Sequence, residues 1–284
     1  MKKQPASYEG NRFSGKTALV TGAASGLGRA LAAGLAEAGA DVAVVDINED
    51  GLQDTAAMVQ ECGVRCQAWL VDVSRWEDME NMAAEVLKAW DHIDILVNNA
   101  GVGVGGELKD VPMESIEWIT GINPKGEIYG TKLFLPRMIE RKQGHIVNVA
   151  SLSALVVLPF HIAYTTTKFG LAGFSEALWC ETRRHGIGVT LVCPGSIKTN
   201  IMAGTRSYAT GKGQKRMEEK WGDLLEKTGM EPEAAAGSIL RGIEKNRFLL
   251  LLGSEAYLLY YLRRFFPNFA RRAVASITGR LAKE

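Results

Sequence analysis

Ser151, Tyr164 and Lys168 are the residues of this 284-residue chain whose types and spacing could do chemistry together. Tyr164 and Lys168 are separated by Thr-Thr-Thr, a spacing that stacks a phenol and an ammonium on one face of a helix. A cation beside a phenol favours the phenolate. A hydroxyl delivered from a strand end, as Ser151 is in Asn-Val-Ala-Ser, can share the oxygen of a reactant. An unperturbed tyrosine has a pKa near 10, so about one in a thousand is ionised at pH 7. Lowering it by about two to three units takes roughly 3–4 kcal/mol of differential stabilisation, which a partly desolvated lysine can supply. The same Tyr-x-x-x-Lys spacing recurs at Tyr208 and Lys212, in a Gly- and Lys-rich polar stretch that predicts no stable helix, with Gly195 in the place of Ser151. The pair alone is weak; the rest of the chain must build a cofactor site beside Tyr164.

The elements that would position these groups begin at Thr17-Ala-Leu-Val-Thr21, a short buried-strand run. Gly22-Ala-Ala-Ser-Gly26-Leu-Gly28 follows, and then a helix carried by Leu27, Leu31, Gly34, Leu35 and Ala38. Asp41-Val-Ala-Val-Val-Asp46 is a second strand, continuous enough to be buried on both faces. Helical patterns then alternate with apolar runs at 66–71, 93–97, 145–149, 189–192 and 248–252. Seven strands with intervening helices predict an α/β fold: a single Rossmann-type doubly wound domain, its parallel sheet covered by helices on both faces. The domain is expected over 14–254, after a flexible arm at 1–13 and before an amphipathic extension at 255–284.

With 46% hydrophobic residues the chain can bury a sizeable core, and a net charge of +1 gives no reason to expect nucleic acid. Cys62, Cys66, Cys180 and Cys193 form no C-x-x-C pair and read as reduced thiols of a cytoplasmic protein. No cleavable signal, no apolar run of membrane-span length and no metal-ligand spacing is apparent.

Glycines 22, 26 and 28 stand where a strand turns tightly into a helix and a diphosphate can approach free N–H groups. Gly101-Val-Gly103-Val-Gly105-Gly106 matches the literal G-x-G-x-x-G fingerprint better, but no helix is expected there and no acidic residue ends a following strand. Asp46 does end the second strand, where a carboxylate accepts bonds from an adenosine ribose. Its charge repels a 2′-phosphate, and Ile47 provides no arginine to pair with one. NAD is therefore expected over NADP.

Taken together these residues resemble the short-chain dehydrogenase/reductase family over about 16–200. Thr21-Gly22-x-x-x-Gly26-x-Gly28, Asp72-Val73, Asn98-Asn99-Ala100-Gly101, Asn123, Ser151 with Tyr164 thirteen residues on, and Pro194-Gly195 with Thr199 occur in the family's order. Asn123 lies in Ile-Asn-Pro-Lys-Gly, a departure from the usual text, with Pro124 compatible with a kink. The resemblance implies hydride transfer between a nicotinamide and the carbon of a secondary alcohol or ketone. It implies Asn123, Ser151, Tyr164 and Lys168 as the catalytic set, with Lys168 also anchoring the nicotinamide ribose and Asn123 helping to hold a water. Implied cofactor contacts are Gly22, Ser25, Gly26, Leu27, Gly28, Asp46, Ile47, Asp72, Val73, Asn99, Ala100, Gly101, Tyr164, Lys168, Pro194, Gly195, Ile197 and Thr199. A homodimer or homotetramer is implied through long helices near 114–142 and 164–185.

On the substrate side Val102, Ser153, Phe160, His161 and Met202, with the apolar run Leu152 to Leu158, predict a lipophilic pocket; ordinary loop packing is the competing reading. His161 has no carboxylate or serine partner in the sequence and is expected at the mouth rather than in the chemistry. The insertion at about 200–235, with Met202, Met217 and Trp221 between glycines, reads as a lid or as a solvated loop with a helix. The aromatic and arginine-rich segment after Tyr257, divided by Pro267, packs on a protein surface or lies on an anionic membrane. A non-catalytic NAD-binding protein and an epimerase or dehalogenase on the same scaffold remain as alternatives.

Overall fold

Thr17-Ala-Leu-Val-Thr21 is buried along its whole length, and its alternation sends Ala18 and Val20 into one apolar layer and Leu19 into another. Such burial is what a central strand of a helix-covered parallel sheet requires. The computed structural model describes residues 12–283. Its strands are β1 (Thr17–Thr21), β2 (Asp41–Asp46), β3 (Cys66–Leu70), β4 (Ile95–Asn98), β5 (Val104–Gly105), β6 (Gly144–Val149), β7 (Ile187–Pro194), β8 (Arg206–Ser207) and β9 (Leu249–Leu252). Seven of them form a parallel sheet in the order β3-β2-β1-β4-β6-β7-β9, and β5 and β8 pair as a separate two-residue ladder. Each of the seven apolar runs read from the sequence is a strand of this sheet. The strand β7 is longer than the run at 189–192 because β6 and β9 flank it on both sides.

The helices are α1 (Gly26–Glu37), α2 (Glu49–Glu61), α3 (Trp76–Trp90), α4 (Met113–Thr120), α5 (Gly126–Arg141), α6 (Ile162–Thr182), α7 (Lys212–Thr228), α8 (Pro232–Glu244), α9 (Ser254–Phe265) and α10 (Pro267–Leu281). Leu31 and Leu35 of α1 pack with Ile239 and Leu240 of α8 against Val42 and Val44. On the opposite face Met79 and Val86 of α3, Phe134 and Met138 of α5 and Leu178 of α6 cover Leu19, Val45 and Ile146. The layers are those of a doubly wound α/β domain. Between β1 and β4 the strand order reverses, which leaves a crevice at their carboxyl ends.

Several local expectations are corrected. The Gly- and Lys-rich stretch after Tyr208 is helical from Lys212, as the start of α7. A Cβ on Gly213 would meet the Leu281 carbonyl oxygen, so glycine lets α10 approach α7 closely, and that packing overrides glycine's poor helix propensity. Phe13, assigned by the sequence to a loose arm, is buried and donates its N–H to the Ala38 carbonyl at 2.8 Å. Residues 1–11 of that arm lie outside the described residues. Pro124 falls in a π-helical turn, Gly121–Lys125, between α4 and α5; proline has no N–H for the i−4 bond, and the wider turn absorbs the loss.

Candidate active site

The crevice at the strand reversal is a cavity of about 700 Å³. One end is built by the turn after β1. Gly22 and Gly26 take left-handed backbone angles, φ +67° and +52°, which residues with a Cβ rarely adopt. A Cβ on Gly28 would lie 2.0 Å from the Gly22 carbonyl oxygen, so only glycine fits there. Asn99, just beyond β4, clamps the turn by donating to the carbonyls of Thr21 at 3.0 Å and Gly22 at 3.1 Å. The N–H groups of Gly26, Leu27 and Gly28 belong to the first turn of α1, where no intrahelical acceptor exists, and all three residues line the cavity. That is a cradle for an anion.

Asp46, at the end of β2, lines the same cavity. Its Oδ2 accepts from the Ala24 N–H at 2.9 Å, and its Oδ1 accepts from the N–H groups of Ile47 at 2.7 Å and Asn48 at 3.0 Å. A carboxylate has about four acceptor positions, so one stays open for a hydroxyl. The set fits a dinucleotide: glycine cradle, helix N-terminus, and a fixed carboxylate at the far edge.

At the other end of the cavity are Ser151, Tyr164 and Lys168. Ser151 follows β6, and its Oγ accepts from the Ser153 N–H at 3.1 Å, which caps a single 3-10 turn, Leu152–Ala154. Tyr164 and Lys168 occupy the first two turns of α6, with the Lys168 Nζ 6.0 Å from the centre of the Tyr164 ring. Lys168 is buried, and its Nζ donates to the Val149 carbonyl at 2.9 Å. A desolvated ammonium so placed stabilises negative charge on the phenol oxygen.

Buried polar groups support this end from below. Asn98 donates to Asn148 Oδ1 at 2.9 Å, and Asn148 donates to Ser175 Oγ at 3.0 Å, which ties the ends of β4 and β6 to α6. Glu127 of α5 is buried with Oε1 3.7 Å from the Lys168 Nζ, an ionic contact too long for a hydrogen bond. Burial pushes its carboxyl up to about 8, against the opposing pull of Lys168. Burial likewise pushes the Cys193 thiol of β7 up to about 12, so it stays a neutral neighbour.

Nearly all the residues expected at a site line this cavity, from Gly22, Ser25 and Ile47 through Asp72, Val73, Ala100 and Gly101 to Pro194, Gly195, Ile197 and Thr199. Val102, Ser153, His161 and Met202 line it too. Asn123 and Phe160 do not. Asn123 lies fully buried behind the wall: its Oδ1 accepts from the Val102 N–H at 2.9 Å, and its Nδ2 donates to the Val102 carbonyl at 3.0 Å and to Thr167 Oγ1 at 3.2 Å. It holds the segment after Gly101 in place. Phe160, expected against substrate, is buried away from the cavity, with φ +57° and its carbonyl accepting from the Gly106 N–H at 2.7 Å. That main-chain pairing, not the side chain, fixes its place. The literal G-x-G-x-x-G at 101–106 starts no helix; it contains β5.

Sequence reasoning missed Trp118, Glu218, Leu225, Glu255 and Leu259 in the cavity wall. Glu255 Oε1 accepts from the Ser196 N–H at 2.8 Å, so the start of α9 braces the loop after β7. The signal for Leu225 was available in its helical spacing from Trp221; nothing local announces Glu255. The Tyr208 hydroxyl hydrogen-bonds the Ser115 hydroxyl at 2.6 Å.

Residues 16–209 match the family described as short chain dehydrogenase. The chain is 36% identical over 266 residues to the putative oxidoreductase SadH of Mycobacterium tuberculosis, covering 93% of this chain and 95% of that one. It is 35% identical over 256 residues to the probable oxidoreductase EphD of the same organism, covering 89% of this chain but spanning only 43% of that relative's length. Human epidermal retinol dehydrogenase 2 is 32% identical over 269 residues, covering 93% and 82%. Among solved structures, a short-chain dehydrogenase/reductase from Burkholderia phymatum in complex with NAD superposes with a TM-score of 0.84 at 28% identity, covering 91% and 96%. A metagenomic short-chain oxidoreductase in complex with NADP gives 0.70 at 28%, covering 85% and 99%.

Proposed function

This chain belongs to the short-chain dehydrogenase family of nicotinamide-dependent oxidoreductases, and on that premise we propose that it interconverts a lipophilic secondary alcohol and its ketone with NAD. One observation carries the reading: a single cavity runs from the glycine cradle and Asp46 to Ser151, Tyr164 and Lys168, and much of its remaining wall is apolar, with Glu218 and Glu255 among its acidic members. Trp118, Ile122, Leu158, Met202, Trp221 and Leu259 make up much of that wall. A relative named for retinol supports an alcohol as the reactant.

When bound, NAD supplies the hydride acceptor, and the reduced form the donor; the chain's own residues handle the proton. In oxidation Tyr164, as phenolate, takes the hydroxyl proton while Ser151 holds the same oxygen; in reduction Tyr164 returns it. Lys168 favours the phenolate and anchors the nicotinamide ribose. Asn123 acts through Val102, fixing the wall beside the reacting carbon. Gly22, Ser25, Gly26, Leu27 and Gly28 would hold the diphosphate, and Asp46 the adenosine ribose. His161, whose Nδ1 contacts the Pro159 carbonyl at 2.7 Å, borders the mouth. Residues 200–235, including α7, act as a lid, and α5 and α6 give the faces for a homodimer or homotetramer. Four free cysteines accord with a cytoplasmic setting.

The test is a panel of secondary alcohols followed by nicotinamide absorbance. Aromatic, steroid-like or long alkyl alcohols are expected to turn over with NAD at least tenfold faster than short polyols. Faster polyol turnover would remove the lipophilic substrate. Tight NAD binding with no turnover across alcohols and ketones would favour a non-catalytic binding protein, and substrate conversion without net change in absorbance an epimerase or dehalogenase.

A further inference from the structure

We propose that α9 and α10 form a docking surface for an anionic lipid membrane. Leu258, Tyr261 and Phe265 recur at helical spacing along α9, with the Tyr261 and Phe265 rings stacked, and Phe266 and Phe269 follow at the junction with α10. All five are exposed; Leu258 and Phe265 each reach 68%. Exposed large apolar side chains concentrated on two short helices in this way mark a contact surface. Its charge says which. Arg264, Arg271, Arg272 and Arg280 lie on the same two helices, and Glu255 is the only acidic residue from 254 to 283. Glu255 is turned inward onto the Ser196 N–H, so it does not offset them.

A second copy of the chain meeting this face in a two-fold interface would set arginines against arginines, because such an interface apposes identical patches. Anionic headgroups over acyl chains satisfy both components at once, the arginines at headgroup level and the aromatic rings below it. Neither helix can cross a membrane: none of the described helices is long and apolar enough. They would lie along the surface instead. The platform is fixed to the domain, by Arg263 stacked 4.6 Å from the Phe169 ring and bonded to the Leu155 carbonyl, and by the close approach of Leu281 to Gly213. Since Leu259 and Glu255 of α9 line the cavity, the docked face stands one helix from the reactant space.

Flotation of the full chain with phosphatidylcholine vesicles, with and without phosphatidylglycerol, tests this. The chain is expected to float with the anionic vesicles only, and less as salt rises. Phe265→Ser with Phe269→Ser, and separately Arg271→Glu with Arg272→Glu, should each lower the bound fraction at least tenfold while leaving activity in free solution unchanged. Wild-type chain that fails to float with anionic vesicles, or variants that float as well as wild type, overturn the proposal. So does a change of sedimentation mass in the Phe pair variant without a change in flotation, which would assign the face to a second copy.

A separate observation concerns Glu127, and we infer that it acts through Lys168 to govern the charge felt by Tyr164, as a positioning residue. This rests on the role proposed above for Tyr164. Both Glu127 carboxyl oxygens are buried with no hydrogen-bond partner among the described residues, and the nearest cation is the Lys168 Nζ at 3.7 Å. A group so placed costs stability, which points to function. Among the described residues the other titratable groups beside Lys168 are Tyr164 on α6, its ring centre 6.0 Å from the Nζ, and the neutral Cys193 thiol on β7; Asn98, Asn148 and Thr131 from β4, β6 and α5 carry no charge. Below about pH 8 burial keeps Glu127 neutral, and the full charge of Lys168 favours the phenolate. Above it, ionised Glu127 competes for Lys168 and opposes a second anion at Tyr164.

Removing the carboxylate should therefore ease phenolate formation at Tyr164 above about pH 8, where Glu127 would otherwise carry its charge. In Glu127→Gln, and in Glu127→Leu should the amide disturb packing, the part of the pH profile for alcohol oxidation that rises above about pH 8 is expected to move down by about half to one pH unit. Tyrosinate difference absorbance of the free protein, taken against Tyr164→Phe, should move equally. An unmoved or upward-moved absorbance midpoint overturns the inference. Absence of wild-type alcohol oxidation would instead sink the proposed function, since the absorbance titration needs neither substrate nor cofactor.

Discussion

Tyr164→Phe is expected to lower turnover by about a thousandfold, within the range of roughly 10²–10⁴ that a positioned acid or base contributes, while NAD affinity changes by less than about threefold. The phenol oxygen is the only part removed. The ring, half-buried beside Val102 and Ala163 in the small apolar cluster near α4, keeps its packing, so the fold should be undisturbed. Lys168 keeps its bond to the Val149 carbonyl in the variant, because that bond does not involve Tyr164. The comparison to make is single-turnover hydride transfer alongside a direct binding titration with NAD. A Tyr164→Phe protein turning over within tenfold of wild type would remove the acid/base role. Loss of NAD binding would move Tyr164 into the cofactor site proper.

Asp46→Ala should change cofactor choice rather than chemistry. Wild type is expected to favour NAD, and the variant to lose roughly ten- to thirtyfold of kcat/KM with NAD while gaining with NADP, so that the ratio shifts by about a hundredfold. Two unit charges a few ångströms apart cost a few kcal/mol at an effective dielectric of about 20, and solvent screening at a partly exposed carboxylate reduces that to about 1–3 kcal/mol. Asp46 also accepts three backbone N–H bonds, so part of the loss with NAD comes from loosening the turn at Ala24. Adding Ile47→Arg supplies a partner for a 2′-phosphate and should raise the NADP value further. Ile47 is highly exposed, so the change has room. A ratio that stays within threefold of wild type in both variants would place the choice of cofactor elsewhere.

Much of the fold was legible because each strand is read from its own residues. The runs at 17–21 and 41–46 are apolar on both faces, which suits a strand covered on two sides, and the glycines after Thr21 follow from backbone angles a Cβ forbids. Tyr164 and Lys168 came the same way, since four residues on a helix is a local distance. Phe160 did not. Its apolar side chain beside Tyr164 suggested substrate, but its carbonyl bonds Gly106, fifty-four residues earlier in the chain, and that pairing decides where the ring goes. The helix after Tyr208 was unreadable for a related reason: α7 is held by α10 against Gly213, a contact that propensity cannot express.

By itself the sequence determined the sheet, the glycine turn after its first strand, and that Tyr164 and Lys168 stand on one helix face, because these depend on spacing along one element or across one loop. Only the tertiary structure decided that Glu127 lies under Lys168, that Glu255 braces Ser196, and that Asn123 stands behind the cavity wall. Those pairs join residues up to 59 positions apart, with no periodicity between them to read. They are set by how the layers pack, and packing is a property of the whole chain at once.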